Sequence, residues 1–262
     1  MHTPDGLLTS WICIVAWIIA IGAIGYAVRY IRRDINKSNV HVFATLVAIV
    51  FGLQMLNFPI ASGTSGHLIG AALIAVMLGP FAAILGMSIV VGLQAVVFAD
   101  GGMIALGVNV VNMAVVASIV AYGSYHYFKS KVGKELAFGG ASVLSVVAAA
   151  VSASLMLWLS HSASLLTVTW NMVIWHLLVG VGELLIGFVI LGLYRLSSST
   201  WKTGVVSVAL IALALPFVSS SPDAMEHVTL QMGFYESAVT LWHGVMPDYT
   251  LLGYETYLAI LA

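Results

Sequence analysis

Charge is scarce in this chain. Only 7% of its 262 residues are Asp, Glu, Lys or Arg, against roughly a quarter in an average soluble domain. Hydrophobic residues make up 61%, and the mean hydropathy is +1.07. A soluble globular protein is thereby excluded, and the chain reads as an all-α integral membrane protein. A net charge of −1 offers no basic face to nucleic acid. Cysteine is reduced to Cys13, set in an apolar run, which rules out a disulfide framework and a thiolate metal site. Catalytic signatures are missing too. There is no His-Glu-x-x-His, no Gly-x-Ser-x-Gly and no Walker phosphate loop, so the chain does not read as an enzyme. Any ATP-driven work must fall to another chain. The inverted repeats of many secondary transporters are absent as well. The start lacks the basic n-region of a signal peptide, and Asp5 precedes the apolar stretch, so Met1 is expected to persist.

Eight apolar stretches, centred near Ile18, Val50, Ala72, Ile89, Val115, Ala149, Leu184 and Leu210, predict about eight transmembrane helices, some short. All nine basic residues fall in three places. Arg29, Arg32, Arg33 and Lys37 follow the first stretch, Lys129, Lys131 and Lys134 the fifth, and Arg195 and Lys202 the seventh. The positive-inside rule makes these the cytoplasmic loops of a plasma-membrane protein whose amino terminus is extracytoplasmic. The loops near Ser62, Asp100 and His161 fall on the outer side. So does most of the acid: Asp5, Asp100, Asp223, Glu226, Glu236, Asp248 and Glu255.

On that outer side lie the residues with the most distinctive chemistry. Met1-His2 offers three nitrogens from one dipeptide: an α-amine, a backbone amide and an imidazole. An α-amine sheds its proton far more readily than a lysine does. Two fused chelate rings with a deprotonated amide enforce a plane, and one further imidazole completes the square-planar N₄ set that suits Ni(II) or Cu(II). His67, in Ser62-Gly63-Thr64-Ser65-Gly66-His67 where the third segment is expected to begin, can supply it. Alone, His67 reads as an interfacial histidine capping a helix; beside Met1-His2 it reads as a metal ligand. Asn109 and Asn112, after Asp100-Gly101-Gly102, could line that site or orient its histidines. Asp5, Ser65 and Asp100 belong to the same surrounding group.

At membrane depth, His176 and Glu183 stand seven apart on one face of the seventh segment. They read either as a proton relay or as a hydrogen-bonded packing network. Gly66 and Gly70, continued by Ala71, Ala72 and Ala75, read as ordinary close helix packing. Ala44, Ala48 and Gly52 repeat at four-residue spacing, either for internal packing or as a docking face for another membrane subunit. His41, His126, His161 and His243 read as solvated loop or interface residues.

Taken together, these residues resemble a known family. Met1-His2-x-Pro4-Asp5-Gly6-x-Leu8 resembles the amino terminus of the substrate-capture subunits of nickel and cobalt energy-coupling-factor transporters, the NikM/CbiM group. His67-Leu68-Ile69-Gly70-Ala71-Ala72-Leu73 with Leu78-Gly79-Pro80-Phe81 is similar to the next block of that family. So are Gln94-Ala95, Phe98-Ala99-Asp100-Gly101-Gly102, Ala105-Leu106-Gly107-x-Asn109, Asn112-Met113-Ala114 and the stretch from His176 to Gly182-Glu183. Ser219-Ser220-Ser221-Pro222-Asp223-Ala224-Met225-Glu226, with Met246-Pro247-Asp248-Tyr249, is similar to the accessory N subunit, although Ala224-Met225 stands where Gly-Leu is usual.

The resemblance implies a natural fusion: residues 1–200 as the metal-capture membrane domain, and residues 201–262 as an accessory helix and extracytoplasmic tail. It implies a capture core of six helices with one extra amino-terminal helix, the eighth helix belonging to the fused part. It implies Ni(II) or Co(II) as transported substrate, with no organic cofactor, held by the Met1 amine, the His2 amide and imidazole, and His67. The implied partners are a transmembrane coupling subunit, which docks where Ala44, Ala48 and Gly52 lie, and a pair of ABC ATPases. Two other readings compete. One is a stand-alone secondary metal transporter or channel working through His176 and Glu183. The other is a membrane metalloenzyme, which would need an open coordination position that a closed plane denies.

Overall fold

A chain inside a bilayer has to satisfy its backbone polar groups internally, and long apolar stretches do so as helices. The computed structural model, which describes residues 1–34, 37–197, 200–214 and 218–247, is built mainly of them. Helix α1 runs Ser10–Asp34, α2 Lys37–Gln54, α3 Ala71–Leu78, α4 Pro80–Phe98 and α5 Leu106–Val132. Then come α6 Lys134–Leu159, α7 Leu165–Ser197, α8 Thr200–Ala214 and α9 Ala224–Gln231. Helices α1, α4, α5, α6 and α7 are long and apolar enough to cross a membrane, while α2 and α8 are apolar but shorter. Large apolar side chains such as Ile14, Ile18, Ile21, Leu166 and Leu213 stand exposed on the flanks, as a lipid solvent requires and water would not tolerate. The protein is a multi-pass membrane protein.

The third segment corrects the expectation. Its helix starts at Ala71 rather than at His67 and has eight residues. At 1.5 Å per residue it spans about 12 Å, well short of the ~30 Å hydrocarbon layer. Gly70 ahead of it and Gly79 behind it, at φ 78 and φ 91, break the helix at both ends. Ala71 to Ala75 are buried, and α3 packs among α2, α4, α5 and α6. The chain is also not wholly helical. Strands β1, Phe58–Ala61, and β2, Thr64–Gly66, pair antiparallel with Phe58 opposite Gly66 and Ala61 opposite Thr64. Ser62 and Gly63 close the hairpin at φ 50 and φ 73, the two positive angles of a type I′ turn. Sequence periodicity is mute on a hairpin this short.

The antiparallel run of helices sorts the loops onto two ends. Lys129, Lys131, Lys134 and Arg195 share one end, where the exposed Arg195 Nη1 meets Glu135 Oε1 at 3.0 Å. Met1, the hairpin, the loop after α4 and the turn at Ser160 share the other. The stretch after α8 returns to that second end. The Ser65 amide donates to the Pro222 carbonyl at 2.8 Å, and the Val239 amide to the Asp5 carbonyl at 2.8 Å. Trp242 Nε1 reaches the Val96 carbonyl at 2.8 Å. Asp248, Tyr249 and Glu255 lie outside the described residues.

Candidate metal centre

Docking of the first five residues builds the site. The Thr3 amide donates to Asn109 Oδ1 at 2.8 Å, and Asn109 Nδ2 donates back to the Thr3 carbonyl at 3.1 Å. That carbonyl also accepts from the Gly102 amide at 2.9 Å. The Asp5 carboxylate accepts from the amides of Met103 at 3.0 Å and Ala105 at 2.9 Å, just ahead of α5. Gly101, at φ 89, and Gly102 let the loop lie flat against this segment. A Cβ on Gly101 would sit 2.8 Å from Asn109 Nδ2, and one on Gly102 would overlap the Asp5 carboxylate and amide.

Strapped down in this way, Met1, His2, Thr3 and Asp5 are all buried. The Met1 amine points at His67 Nε2, 2.6 Å away, and at Asp223 Oδ2, 2.5 Å away. His67 Nδ1 donates to the carbonyl of Leu68 at 3.0 Å. That bond selects the tautomer whose Nε2 lone pair is bare and faces the amine. Two donors about 2 Å from a metal at right angles stand roughly 2.8 Å apart, close to this spacing. The His2 and His67 rings lie near-parallel with centroids 4.9 Å apart. His2 Nε2 meets Gln94 Oε1 at 3.1 Å, and its Nδ1 meets Asp100 Oδ1 at 3.1 Å. Among the described residues no three His, Cys, Asp or Glu side chains gather as a metal site.

The electrostatics favour a neutral imidazole beside a fixed anion. Burial lowers the pKa of His67, and the positive amine lowers it further, against the opposing pull of Asp223. For Asp223, burial pushes upward, but the positive amine outweighs it and holds the carboxyl well below the usual range. Asp223 is also the N-cap of α9, its Oδ1 accepting from the amides of Met225 and Glu226 at 2.8 Å each.

The remaining candidates divide. Met1, His2, His67, Asp100 and Asn109 come together, and Asp5 braces the loop beneath them. Ser65 turns instead to the tail, donating to the Ser221 carbonyl at 2.7 Å. Asn112 lies in the π-helical turns of Val110–Val116 and faces α6, its Oδ1 accepting from Ser152 Oγ at 2.7 Å. His176 and Glu183 are both buried but take separate partners. His176 Nδ1 donates to the Met172 carbonyl at 2.7 Å, and Glu183 Oε2 accepts from the Ile69 amide at 2.9 Å. Ala44 and Ala48 are exposed along α2, whereas Gly52 packs under Ile211 of α8.

Two residues at the centre carry no site signal in the sequence. Gln94 belongs only to a block of family resemblance. Asp223 is an outer acid within the tail block that resembles the accessory subunit. Pro222-Asp223 followed by Glu226 does carry a helix-start signal. Nothing local, though, aims the second carboxylate oxygen at a residue 222 positions away.

Known proteins share this sequence and fold over most of the chain. The family model described as the cobalt uptake substrate-specific transmembrane region, CbiM, matches residues 2–201. A chain of Archaeoglobus fulgidus, named for a fused nickel transport protein NikMN, is 32% identical over 98% of this chain and 90% of its own length. A fused nickel transport protein NikMN of Rhodobacter capsulatus is 38% identical over 48% of this chain and 36% of its own. A crystal structure of a transition metal transporter superposes with a TM-score of 0.69 at 31% identity, covering 76% of this chain and 95% of the other. The chain therefore belongs to the CbiM family of cobalt and nickel transport components, in the fused NikM–NikN architecture.

Proposed function

We propose that this protein is the substrate-capture component of an ATP-driven energy-coupling-factor importer for Ni(II), with Co(II) as the alternative cargo. The observation that carries the reading is the buried Met1 amine set 2.6 Å from the bare Nε2 of His67, with the His2 ring beside them. On this reading the cargo is bound through the Met1 amine, the His2 amide nitrogen and imidazole Nδ1, and His67 Nε2. A planar four-nitrogen set favours Ni(II). The Asp100 contact holds the ring nitrogen the chelate needs, so binding swings His2 Nδ1 off Asp100. Asp223 keeps its charge throughout, facing the ammonium without metal and the metal-bound amine with it. Both the amine and the amide must shed protons, so affinity falls as pH falls.

The end carrying Met1 is the extracytoplasmic one, because Lys129, Lys131, Lys134 and Arg195 mark the other as cytoplasmic. The chain then passes between the faces eight times, α3 with its extended lead-in making one short passage. A membrane coupling subunit docks on the exposed Ala44 and Ala48 of α2, and two ABC ATPases drive it from inside. The names of the relatives, fused nickel transport proteins, support the cargo.

The test is calorimetric Ni(II) binding to the native amino terminus and to the same protein with its terminal amine acetylated. Acetylation keeps every side chain but removes the amine as a donor. One-to-one binding by the native protein and its collapse in the acetylated one are expected. Equal binding by both would remove the amine from the site.

A further inference from the structure

His67 reaches the amine from an extended segment, and that segment is gripped two residues later from both sides. Glu183 Oε2 of α7 accepts from the Ile69 amide at 2.9 Å, and Gln54 Nε2 of α2 donates to the Ile69 carbonyl at 2.5 Å. All three residues are buried, Gln54 at 2%, Ile69 at 1% and Glu183 at 4% exposure. A buried carboxyl or amide is costly without bonds, so the one bond that Gln54 Nε2 and Glu183 Oε2 each make fixes where the Ile69 carbonyl and amide lie. The bond from His67 Nδ1 to the Leu68 carbonyl places the ring on the same short stretch. Gly70 then sits against Val50 of α2, where a Cβ would meet Val50 Cγ1 at 2.6 Å.

We propose that Gln54 and Glu183 form a two-sided clamp on the Ile69 backbone that positions His67 and ties its reach to helices α2 and α7. This rests on the metal-capture reading and adds a route by which the site is opened. The stripe of Ala44 and Ala48 and the clamp residue Gln54 share helix α2. A partner that turns or tilts α2 pulls the Ile69 carbonyl relative to Glu183 and draws His67 Nε2 off the metal. Neither clamp residue touches the metal; both act through the backbone that carries its ligand.

The test uses the full chain with Gln54→Met and Glu183→Met, which keep side-chain length and delete the hydrogen bonds. Two quantities are read: Ni(II) affinity with its release rate, and hydrogen exchange of the amides of residues 67–70 in metal-free protein. Outer-shell partners of metal ligands are worth roughly 10–100-fold in affinity. Each variant is expected to lose about tenfold, through faster release, with one-to-one stoichiometry kept and exchange of the Ile69 amide accelerated. Unchanged exchange in α5 and α6 checks the fold, and Gln54→Met decides alone should Glu183→Met fail to fold. Wild-type affinity, release and exchange in both variants would overturn the clamp. Wild-type protein that binds no Ni(II) would overturn the capture reading instead, while the exchange data would still report on the clamp.

Discussion

Replacing Gly102 by alanine is expected to weaken Ni(II) binding strongly and to cost about 4 kcal/mol of stability. There is no room for even one carbon there, because it would overlap the carboxylate and amide of Asp5. Asp5 must move, and with it go the bonds from the Met103 and Ala105 amides. Hydrogen bonds to a charged acceptor contribute roughly 1.5–3 kcal/mol each. The Gly102 amide bond to the Thr3 carbonyl goes as well, so Met1 and His2 lose the brace that buries them. Ni(II) affinity should fall by about 100-fold. Gly92→Ala is the control, since a Cβ there meets nothing within 4 Å on α4. Thermal unfolding and calorimetry on both variants decide the matter. Parity between the two would mean that the amino terminus is not held as described.

Removing the charge of Asp223 has the second-largest expected effect. Its Oδ2 is the counter-ion of a nearly fully buried ammonium. Breaking a buried ion pair by deleting one partner costs roughly 3–5 kcal/mol, and the 16% exposure of this carboxyl places it toward the lower figure. Asp223→Asn should therefore lose about 3 kcal/mol while still capping α9. Asp223→Ala should lose about 1 kcal/mol more, because the cap goes too.

The pH dependence follows from the directions of the shifts. The folded-state pKa of Asp223 is depressed, so its contribution is present above the unfolded value of about 4 and is lost as pH falls below it. The pKa of His67 is lowered from an unfolded value of about 6.5, so protons favour the unfolded chain from that pH downward. Wild-type stability should thus decline in two stages on acidification, and Asp223→Asn should lack the second. A variant that keeps the steep loss below about pH 4 would place that titration elsewhere.

Which parts were readable in advance follows from how far each signal reaches along the chain. Hydropathy marks apolar stretches of helix length, and a helix stands at each expected centre, Ile18 through Leu210. The same measure cannot tell a crossing helix from the eight residues of α3, because Gly70 and Gly79 interrupt the backbone without changing the hydropathy. Met1, His2 and His67 were named from their donor chemistry and lie together in the structure. Asp5 and Asn109 were named as neighbours of the site, yet their roles, holding the loop before α5 and pinning Thr3, depend on pairings about 100 residues apart. Asp223, Gln94 and the grip of Gln54 and Glu183 on Ile69 were invisible for the same reason. Each is an ordinary polar residue whose meaning comes from what a distant segment brings against it. The seven-residue spacing of His176 and Glu183 suggested a shared network, but tertiary contacts gave the two residues different partners.

The most direct measurement on the central claim is X-ray absorption spectroscopy of the Ni(II)-loaded protein with its native amino terminus. A four-coordinate planar centre with only nitrogen neighbours, including the outer scattering of two imidazole rings, is the predicted result. A six-coordinate spectrum with oxygen neighbours would contradict it. It would mean that Asp100, Asp223 or solvent, rather than the Met1 amine and the His2 amide, holds the metal.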